Sequence, residues 1–418
     1  MKYKVFGCKV NKYFTDEWLN SAYLKDKSGL FVASCVVTDS AKKKWLKFVK
    51  QELSNLKENE KIFISGCGAF ENGKENKEFF KVYQELSDFQ DKIEVLGEAP
   101  PKEEKKQKLD LSKLGNLKNK LSLTTKKFLL IQGGCDSFCT FCLTVQKRGR
   151  HFFRSKEDIV DEITEFEMQG GKEVVLTGVN LAAWGQDTTN EFTKPKLHEL
   201  LQYILDKTDI KRIRISSLGP EFVGEDLLKV FENKRIYPHF HFSIQSGNSR
   251  ILKLMRRHYD GDYMRDLLNK TLKIKREDLV SVSIGADLIV GFPGETNTEF
   301  EDTLNLVKDY NITKVHGFPF SNHTLGEHVP ASYFKGQIDD KIKKERLEKL
   351  LYAGEEVREN FIKTQVGKTF EVLVESVNNG IFKGWTQNYI EATNDNFEVI
   401  SGEIKKNEII IGKIKKGY

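Results

Sequence analysis

Six cysteines in 418 residues are too few and too scattered for a disulfide scaffold, which needs a dense, even set in a short secreted chain. They point instead to metal or redox chemistry in a reducing compartment. No apolar run approaches the roughly 20 residues that span a bilayer, and the opening MKYKVFGCKVNKYF has no apolar h-region of a secretory signal. Both features predict a cytoplasmic protein without a membrane partner. Only eight prolines punctuate the chain, so boundaries must come from shifts of composition. There is no internal repeat. Charge of one sign is also scarce: the net charge is +6 and the isoelectric point about 8.7. That mild basicity is compatible with an RNA partner and does not identify one. What is present, 39% hydrophobic and 31% charged residues, is enough for a sizeable core, and the length calls for two or three domains.

Residues 1 to about 97 alternate strands and helices. KYKVFG (2–7), LFVASCVVT (30–38), KIFISGCG (61–68) and IEVLG (93–97) read as strands, while 45–58 and 76–89 carry a helical period. This pattern predicts a small parallel α/β domain, ending in a Lys/Glu/Pro-rich linker or solvated loop, EAPPKEEKKQKLD (98–110). The alternation resumes on a larger scale over 121–355. Strands are expected at 128–132, 173–178, 212–217, 239–245, 282–292 and 314–321, with helices between them, as at SKEDIVDEITEFEMQGG (155–171), where Ser155 is the expected N-cap. Six such strands make a partial, TIM-like β/α barrel, whose chemistry belongs at the strand C-termini. Residues 365–418 change to short strands with Gly and Asn turns, the pattern of a small all-β barrel. The fold class is therefore α/β, in three domains: 1–110 including the linker, 121–355 and 365–418.

The cysteines divide into two sets of three. GGCDSFCTFCLTVQKRGR (133–150) places Cys135, Cys139 and Cys142 directly after the first strand of the central domain. Cys8, Cys35 and Cys67 each lie at or just past the end of a strand of the first domain, and parallel strands present those ends along one sheet edge. A structural zinc site needs four ligands, and neither set has a fourth cysteine; His151 is the nearest substitute. A 4Fe-4S cluster, ordinarily held by four thiolates, can be held by three with one iron left to a small molecule. Singly, Cys8, Cys35 or Cys67 could be an ordinary buried cysteine.

C-x3-C-x2-C with Phe141 before the last cysteine resembles the radical S-adenosylmethionine enzymes. FGCKVNKYFTDE, VASCVVTDSA, ISGCGAF, RISSLGP, HFSIQSGNSRILKLMRR and ADLIVGFPGET resemble one branch of them, the methylthiotransferases, along essentially the whole chain. The last segment, with VLVES and GWTQNYIEA, is similar to the TRAM module, an RNA-binding β-barrel. GCKVN and VVTDSA are closest to the sub-branch that acts on N6-threonylcarbamoyladenosine in tRNA. The resemblance implies two 4Fe-4S clusters. That at Cys135, Cys139 and Cys142 would bind S-adenosylmethionine through its open iron and cleave it to a 5′-deoxyadenosyl radical. That at Cys8, Cys35 and Cys67 would carry the sulfur to be inserted, and a second S-adenosylmethionine would give its methyl group. By motif position, Thr177, Gly178, Ser216, Gln245, Arg257 and Asp287 are the expected cofactor contacts; GFPGE (291–295) reads as a strand-to-helix turn.

Three positions depart from the pattern. Gly219 stands where an acidic residue usually precedes the proline, with Glu221 as a substitute; Gly133 stands where an acidic or polar residue is common; His323 stands where arginine is expected. The implied partners are a tRNA anticodon loop, an electron donor such as flavodoxin or ferredoxin, and a sulfur source, with no role for DNA. The substrate would be the unpaired adenosine just 3′ of the anticodon, a base that can be splayed into a pocket. Candidate phosphate contacts are KRGR (147–150), Arg154, Arg256 and Arg257, and candidate stacking rings are Phe152, Phe153, Trp385 and Tyr389. The two phenylalanines have a second reading as core. Residues 365–418 hold seven lysines and seven acidic side chains, so RNA affinity there would rest on placement, at Lys383, Lys405 and Lys406. Rival readings are the isopentenyladenosine branch, the branch that modifies an aspartate of a ribosomal protein, and a non-catalytic iron-sulfur RNA-binding protein.

Overall fold

The computed structural model describes residues 1–101, 125–187, 193–324 and 327–415. Most of the expected linker, from residue 102 onward, and the first residues of the expected central domain lie outside the described residues. The chain forms two compact units. One comprises Met1–Leu123, Gly133–Phe152 and Ser321–Tyr333; the other comprises Thr124–Gln132, Phe153–Phe320 and Phe334–Tyr418. Among the described residues no helix is long and apolar enough to cross a membrane.

The first unit holds β1 (Lys2–Val5), α1 (Lys9–Leu19), β2 (Gly29–Ser34), α2 (Asp39–Leu53), β3 (Lys61–Gly66) and β4 (Ile93–Val95). The strands pair in parallel in the order β1-β2-β3-β4. The central pair are near-continuous apolar runs because both faces are covered. Leu30, Val32, Ile62 and Ile64 pack on one side with Trp45, Leu46, Val49 and Leu53 of α2, while Phe31, Ala33 and Phe63 pack on the other with Trp18 and Leu24. The second helix begins six residues before the periodicity suggested, because the Thr38 hydroxyl accepts the Ala41 N–H and caps it. The helix expected over 76–89 is instead one turn, Phe79–Val82, and a 3-10 segment, Gln84–Phe89. Its apolar positions Phe79, Tyr83 and Leu86 are still buried; burial, not a continuous helix, wrote that period. This unit also contains α3 (Thr144–Arg148).

In the second unit the expected parallel strands form. β5 (Lys127–Gly133) pairs with β6 (Glu173–Gly178), which pairs with β7 (Arg212–Ile215). The strand expected over 212–217 breaks at Ser216, so that β8 (Ser217–Leu218) pairs with β9 (His239–Gln245) in a second sheet that continues through β10 (Ser283–Val290) to β11 (Ile312–Pro319). Side chains alternate with period two. Val174, Leu176, Ile213, Ile215, Phe240, Phe242, Ile284, Ala286 and Leu288 join the apolar core against the helices. The intervening positions are polar, among them Glu173, Thr177, Arg212, Arg214, His241 and Asp287. α4 (Lys156–Met168) has its expected Ser155 cap, which accepts the Asp158 N–H, and Gly170 ends it with φ +84°.

After α5 (Asp340–Gln365) comes an antiparallel five-stranded sheet: β12 (Thr369–Asn378), β13 (Ile381–Trp385), β14 (Glu391–Thr393), β15 (Phe397–Ser401) and β16 (Ile409–Ile414), in the order β14-β13-β12-β16-β15. Phe370, Val372, Val374, Phe382, Ile390, Phe397 and Ile410 fill its core. It is tied to the parallel strands by a buried charge cluster. Glu173 bonds Arg212 Nε at 2.7 Å and Arg214 Nε at 2.8 Å, and the two guanidiniums also donate to the carbonyls of Trp385 at 3.0 Å and Thr386 at 2.9 Å.

Candidate functional site

Both thiol triads lie in the first unit. Cys8 is the residue before α1, Cys35 follows β2 and Cys67 follows β3, so parallel pairing of three neighbouring strands brings together cysteines far apart in sequence. Gly7, at φ +94°, carries the backbone against them; a Cβ there would lie 2.9 Å from the Cys35 sulfur. Burial pushes the Cys35 thiol up to about 12, and Cys67 and Cys8 push it the same way. The second triad occupies the loop before α3. The Ser137 N–H points to the Cys135 sulfur at 3.4 Å, and the Cys142 thiol donates to the Thr144 hydroxyl at 3.0 Å. Burial pushes Cys142 up to about 12, with Cys139 and Cys135 adding to the effect. No cysteine is in a disulfide.

The donor sets decide between metals. Ligands of one tetrahedral zinc ion sit roughly 3.8 Å apart, given Zn–S bonds of about 2.3 Å. Among the described residues, the group of three or more His, Cys, Asp or Glu side chains whose ligand atoms all fall within 4.8 Å of one another is His241, Asp287 and His316. Neither thiol triad closes to that spacing, and no set including His151 does. Three thiols whose sulfurs do not all come within 4.8 Å of one another fit a multi-iron cluster better than a single ion. Bound iron would also supply the positive charge that the thiols raised by burial, Cys35 and Cys142 among them, need to ionise.

In the second unit, Thr177 and Gly178 end β6 and Ser216 lies between β7 and β8. They are neighbours, since the Ser216 N–H donates to the Leu176 carbonyl at 3.0 Å. The Thr177 and Ser216 hydroxyl oxygens are both buried with no hydrogen-bond partner, a costly arrangement that a polar ligand would relieve. Gln132, which sequence reasoning missed, is fully buried beside them and accepts from the Val179 and Asn180 N–H groups at 2.9 and 2.7 Å. A Cβ on Gly178 would come within 3.0 Å of its oxygen, so the glycine lets that side chain in. Gln245 ends β9 at φ +71°, a conformation uncommon outside glycine and frequent at binding sites.

Asp287 is bound differently from expectation. Its carboxylate bonds His241 Nε2 at 2.9 Å and lies 3.4 Å from His316 Nδ1. Burial opposes its charge, but His241 and His316 outweigh that and hold it well below the usual carboxylate range. The two histidines were legible only as polar positions among apolar ones, on the strands that flank the one carrying Asp287.

Each of the three departures has a structural account. A Cβ on Gly133 would lie 2.3 Å from the Phe152 ring, which fills that space. A Cβ on Gly219 would lie 3.2 Å from the Glu221 carboxylate, so Glu221 brings its charge to the place where a side chain at 219 would begin. His323 is buried at φ +52°; burial and the Lys42 ammonium push it down to about 4, so it is neutral, and Lys42 is the nearby cation.

Several expected RNA contacts are corrected. Lys147 is buried and paired with Glu71 at 2.6 Å and with Glu327. Arg148 is buried and paired with Glu98. Arg154 bonds Glu162 at 2.8 Å, and Arg257 bonds Glu221 at 3.2 Å. Such pairs leave little for a phosphate: the first two residues of KRGR, expected as phosphate contacts, face the interior. Arg150 and Arg256 remain at the surface. Phe152 and Phe153 are 46% and 41% exposed, not core. Trp385 stacks on Tyr389 at 4.6 Å, and Tyr389 on His239 at 4.4 Å, so Trp385 already has one stacked partner and Tyr389 two. Lys383 pairs with Glu391 at 2.7 Å, while Lys405 and Lys406 are exposed.

Residues 129–307 match the radical SAM superfamily. A protein of Thermotoga maritima named threonylcarbamoyladenosine tRNA methylthiotransferase is 34% identical over 94% of this chain and 90% of its own length. A tRNA-2-methylthio-N6-dimethylallyladenosine synthase of Acetivibrio thermocellus is also 34% identical, over 63% of this chain and 53% of its own. A ribosomal protein uS12 methylthiotransferase of Clostridium botulinum is 29% identical over 92% and 89%.

Proposed function

This chain belongs to the methylthiotransferase family of radical S-adenosylmethionine enzymes, and from that premise we infer that it converts N6-threonylcarbamoyladenosine in tRNA to its 2-methylthio form. The choice of branch is supported by the relative that pairs the higher identity with nearly full-length coverage and by GCKVN at the first cysteine. The site is supported by one observation above the others: two separate thiol triads, each too open for a single ion, in one compact unit.

The family's cofactors are S-adenosylmethionine and 4Fe-4S clusters, which when bound supply a carbon radical strong enough to take hydrogen from adenine C2, and the sulfur that replaces it. In this reading Cys135, Cys139 and Cys142 hold the cluster that binds S-adenosylmethionine, and Cys8, Cys35 and Cys67 hold the auxiliary one. The Thr177 and Ser216 hydroxyls donate to the cosubstrate's polar groups. Glu221, held in place by Arg257 at 3.2 Å, takes the ribose contact that Gly219 cannot make. Gln132 braces the β6 turn. The parallel strands of residues 121–355 form a partial β/α barrel, residues 1–110 the auxiliary-cluster domain and residues 365–418 a TRAM-like module that touches tRNA through Lys405 and Lys406. A cytoplasmic electron donor of the flavodoxin or ferredoxin type and a sulfur source complete the system.

Glu221→Gln should raise the KM for S-adenosylmethionine roughly tenfold, the effect of about 1.4 kcal/mol for a lost charged hydrogen bond, with iron content unchanged. An unchanged KM would remove Glu221 from the site. The function itself is tested by digesting bulk tRNA from a strain lacking the gene and analysing nucleosides by mass spectrometry. The 2-methylthio nucleoside should vanish and its threonylcarbamoyl precursor accumulate. Persistence of the modified nucleoside, with loss of 2-methylthio-isopentenyladenosine or of the modified ribosomal aspartate, would transfer the chain to a sister branch.

A further inference from the structure

We propose that Arg148 is the positioning residue that sets the charge and the reduction potential of the auxiliary cluster at Cys8, Cys35 and Cys67. The inference rests on the reading that this triad holds a cluster. Arg148 is the last residue of α3, six positions after Cys142, yet its side chain runs to the other triad, where it is 4% exposed. The guanidinium donates to Asn11 Oδ1 at 2.8 Å and pairs with Glu98, and its charge acts on the Cys67 and Cys35 thiols. It also lies over the Phe70 ring at 5.5 Å. Asn11 in turn donates to the carbonyls of Phe6 and Ser34, each at 2.8 Å. These carbonyls sit two residues before Cys8 and one before Cys35, so the fork, through Asn11, braces the backbone at two of the three cysteines.

Chemistry supplies the consequence. Three thiolates on a 4Fe-4S core leave a net negative charge that grows by one on reduction, in a site where the charge of buried Arg148 acts on Cys35 and Cys67. Reduction adds one electron from an external donor, which stays on the cluster, and takes up no proton. A buried cation beside the ligand thiolates favours the more negative, reduced state. Glu98, paired with the guanidinium, works against it. The two residues therefore pull the midpoint in opposite directions, and that opposition distinguishes an electrostatic role from simple packing.

The test uses the full-length chain with Cys135, Cys139 and Cys142 replaced by alanine, so that only the auxiliary site is loaded. It is reconstituted with iron and sulfide and titrated with dithionite, with the reduced cluster followed by electron paramagnetic resonance. In that background Arg148→Gln should shift the midpoint to lower potential, Glu98→Gln should shift it higher, and Arg148→Lys should lie between wild type and Arg148→Gln. Unmoved midpoints in Arg148→Gln and Glu98→Gln, at wild-type iron content, overturn the proposal. If Arg148→Gln fails to hold iron, Arg148→Lys decides: iron retained supports the need for a cation, and iron lost from both makes Arg148 a packing residue and overturns it. Absence of iron from the background chain itself would reject the cluster reading rather than the role of Arg148.

Discussion

Replacing Cys135 with alanine is expected to remove about four iron atoms per chain and to reduce S-adenosylmethionine cleavage to background, while the iron at Cys8, Cys35 and Cys67 stays in place. A cluster held by three thiolates has no spare ligand, so losing one leaves two irons open and the site cannot retain it. The other triad stands on the ends of β1, β2 and β3, whose positions are fixed by the apolar packing of Trp45, Val49, Phe31 and Phe63, and Cys135 takes no part in that packing. The checks are an iron and sulfide assay and chromatographic detection of 5′-deoxyadenosine under reducing conditions. Sustained cleavage in the variant would refute the assignment of this loop. Loss of all iron would show instead that the two sites load together.

The second large effect concerns stability. Glu173→Gln should destabilise the second unit by about 3–5 kcal/mol, the cost of leaving buried charge uncompensated. Glu173, Arg212 and Arg214 are 1%, 0% and 6% exposed, so neither guanidinium can turn to water when its partner becomes neutral. Burial opposes ionisation of Glu173, yet Arg214 and Arg212 overcome it and bring the carboxyl down to about 2. A depressed carboxyl adds stability that is fully present above the unfolded value near about 4.3 and is lost as pH falls toward the folded one. The gap between wild type and Glu173→Gln should therefore be constant at neutral pH and narrow between about pH 4 and 2. Urea midpoints followed across that range measure it. A midpoint equal to wild type at pH 7 would mean that water reaches the cluster.

What the sequence revealed of this site, and what it hid, follows from the distance over which each signal acts. The C-x3-C-x2-C loop is local, so its spacing alone carries the information. Cys8, Cys35 and Cys67 are remote from one another, but each follows an apolar strand, and parallel pairing is enough to gather them. The Ser155 cap was legible for the same local reason. Arg148 was not: a basic residue in KRGR looks like surface until one knows that Glu98 and Asn11 lie against it. Trp385 and Tyr389 were read as open stacking rings because nothing in their own segment indicates that His239, about 150 residues earlier in the chain, covers one of them. Gln132 and the histidines at 241 and 316 were hidden likewise, since their roles depend on which strand lies alongside.

The spacing from Cys142 to Arg148 acts as a ruler. Five of those residues form one short helix, Thr144–Arg148, in which every residue advances the direction of its side chain by about 100°. Deleting any one of them would leave the cysteine loop intact and swing the guanidinium away from Cys67. Sequence drift in this turn is thus constrained by a ligand set it does not contain, and the tolerance of the chain to insertions should be low here as well as in the cysteine loop itself.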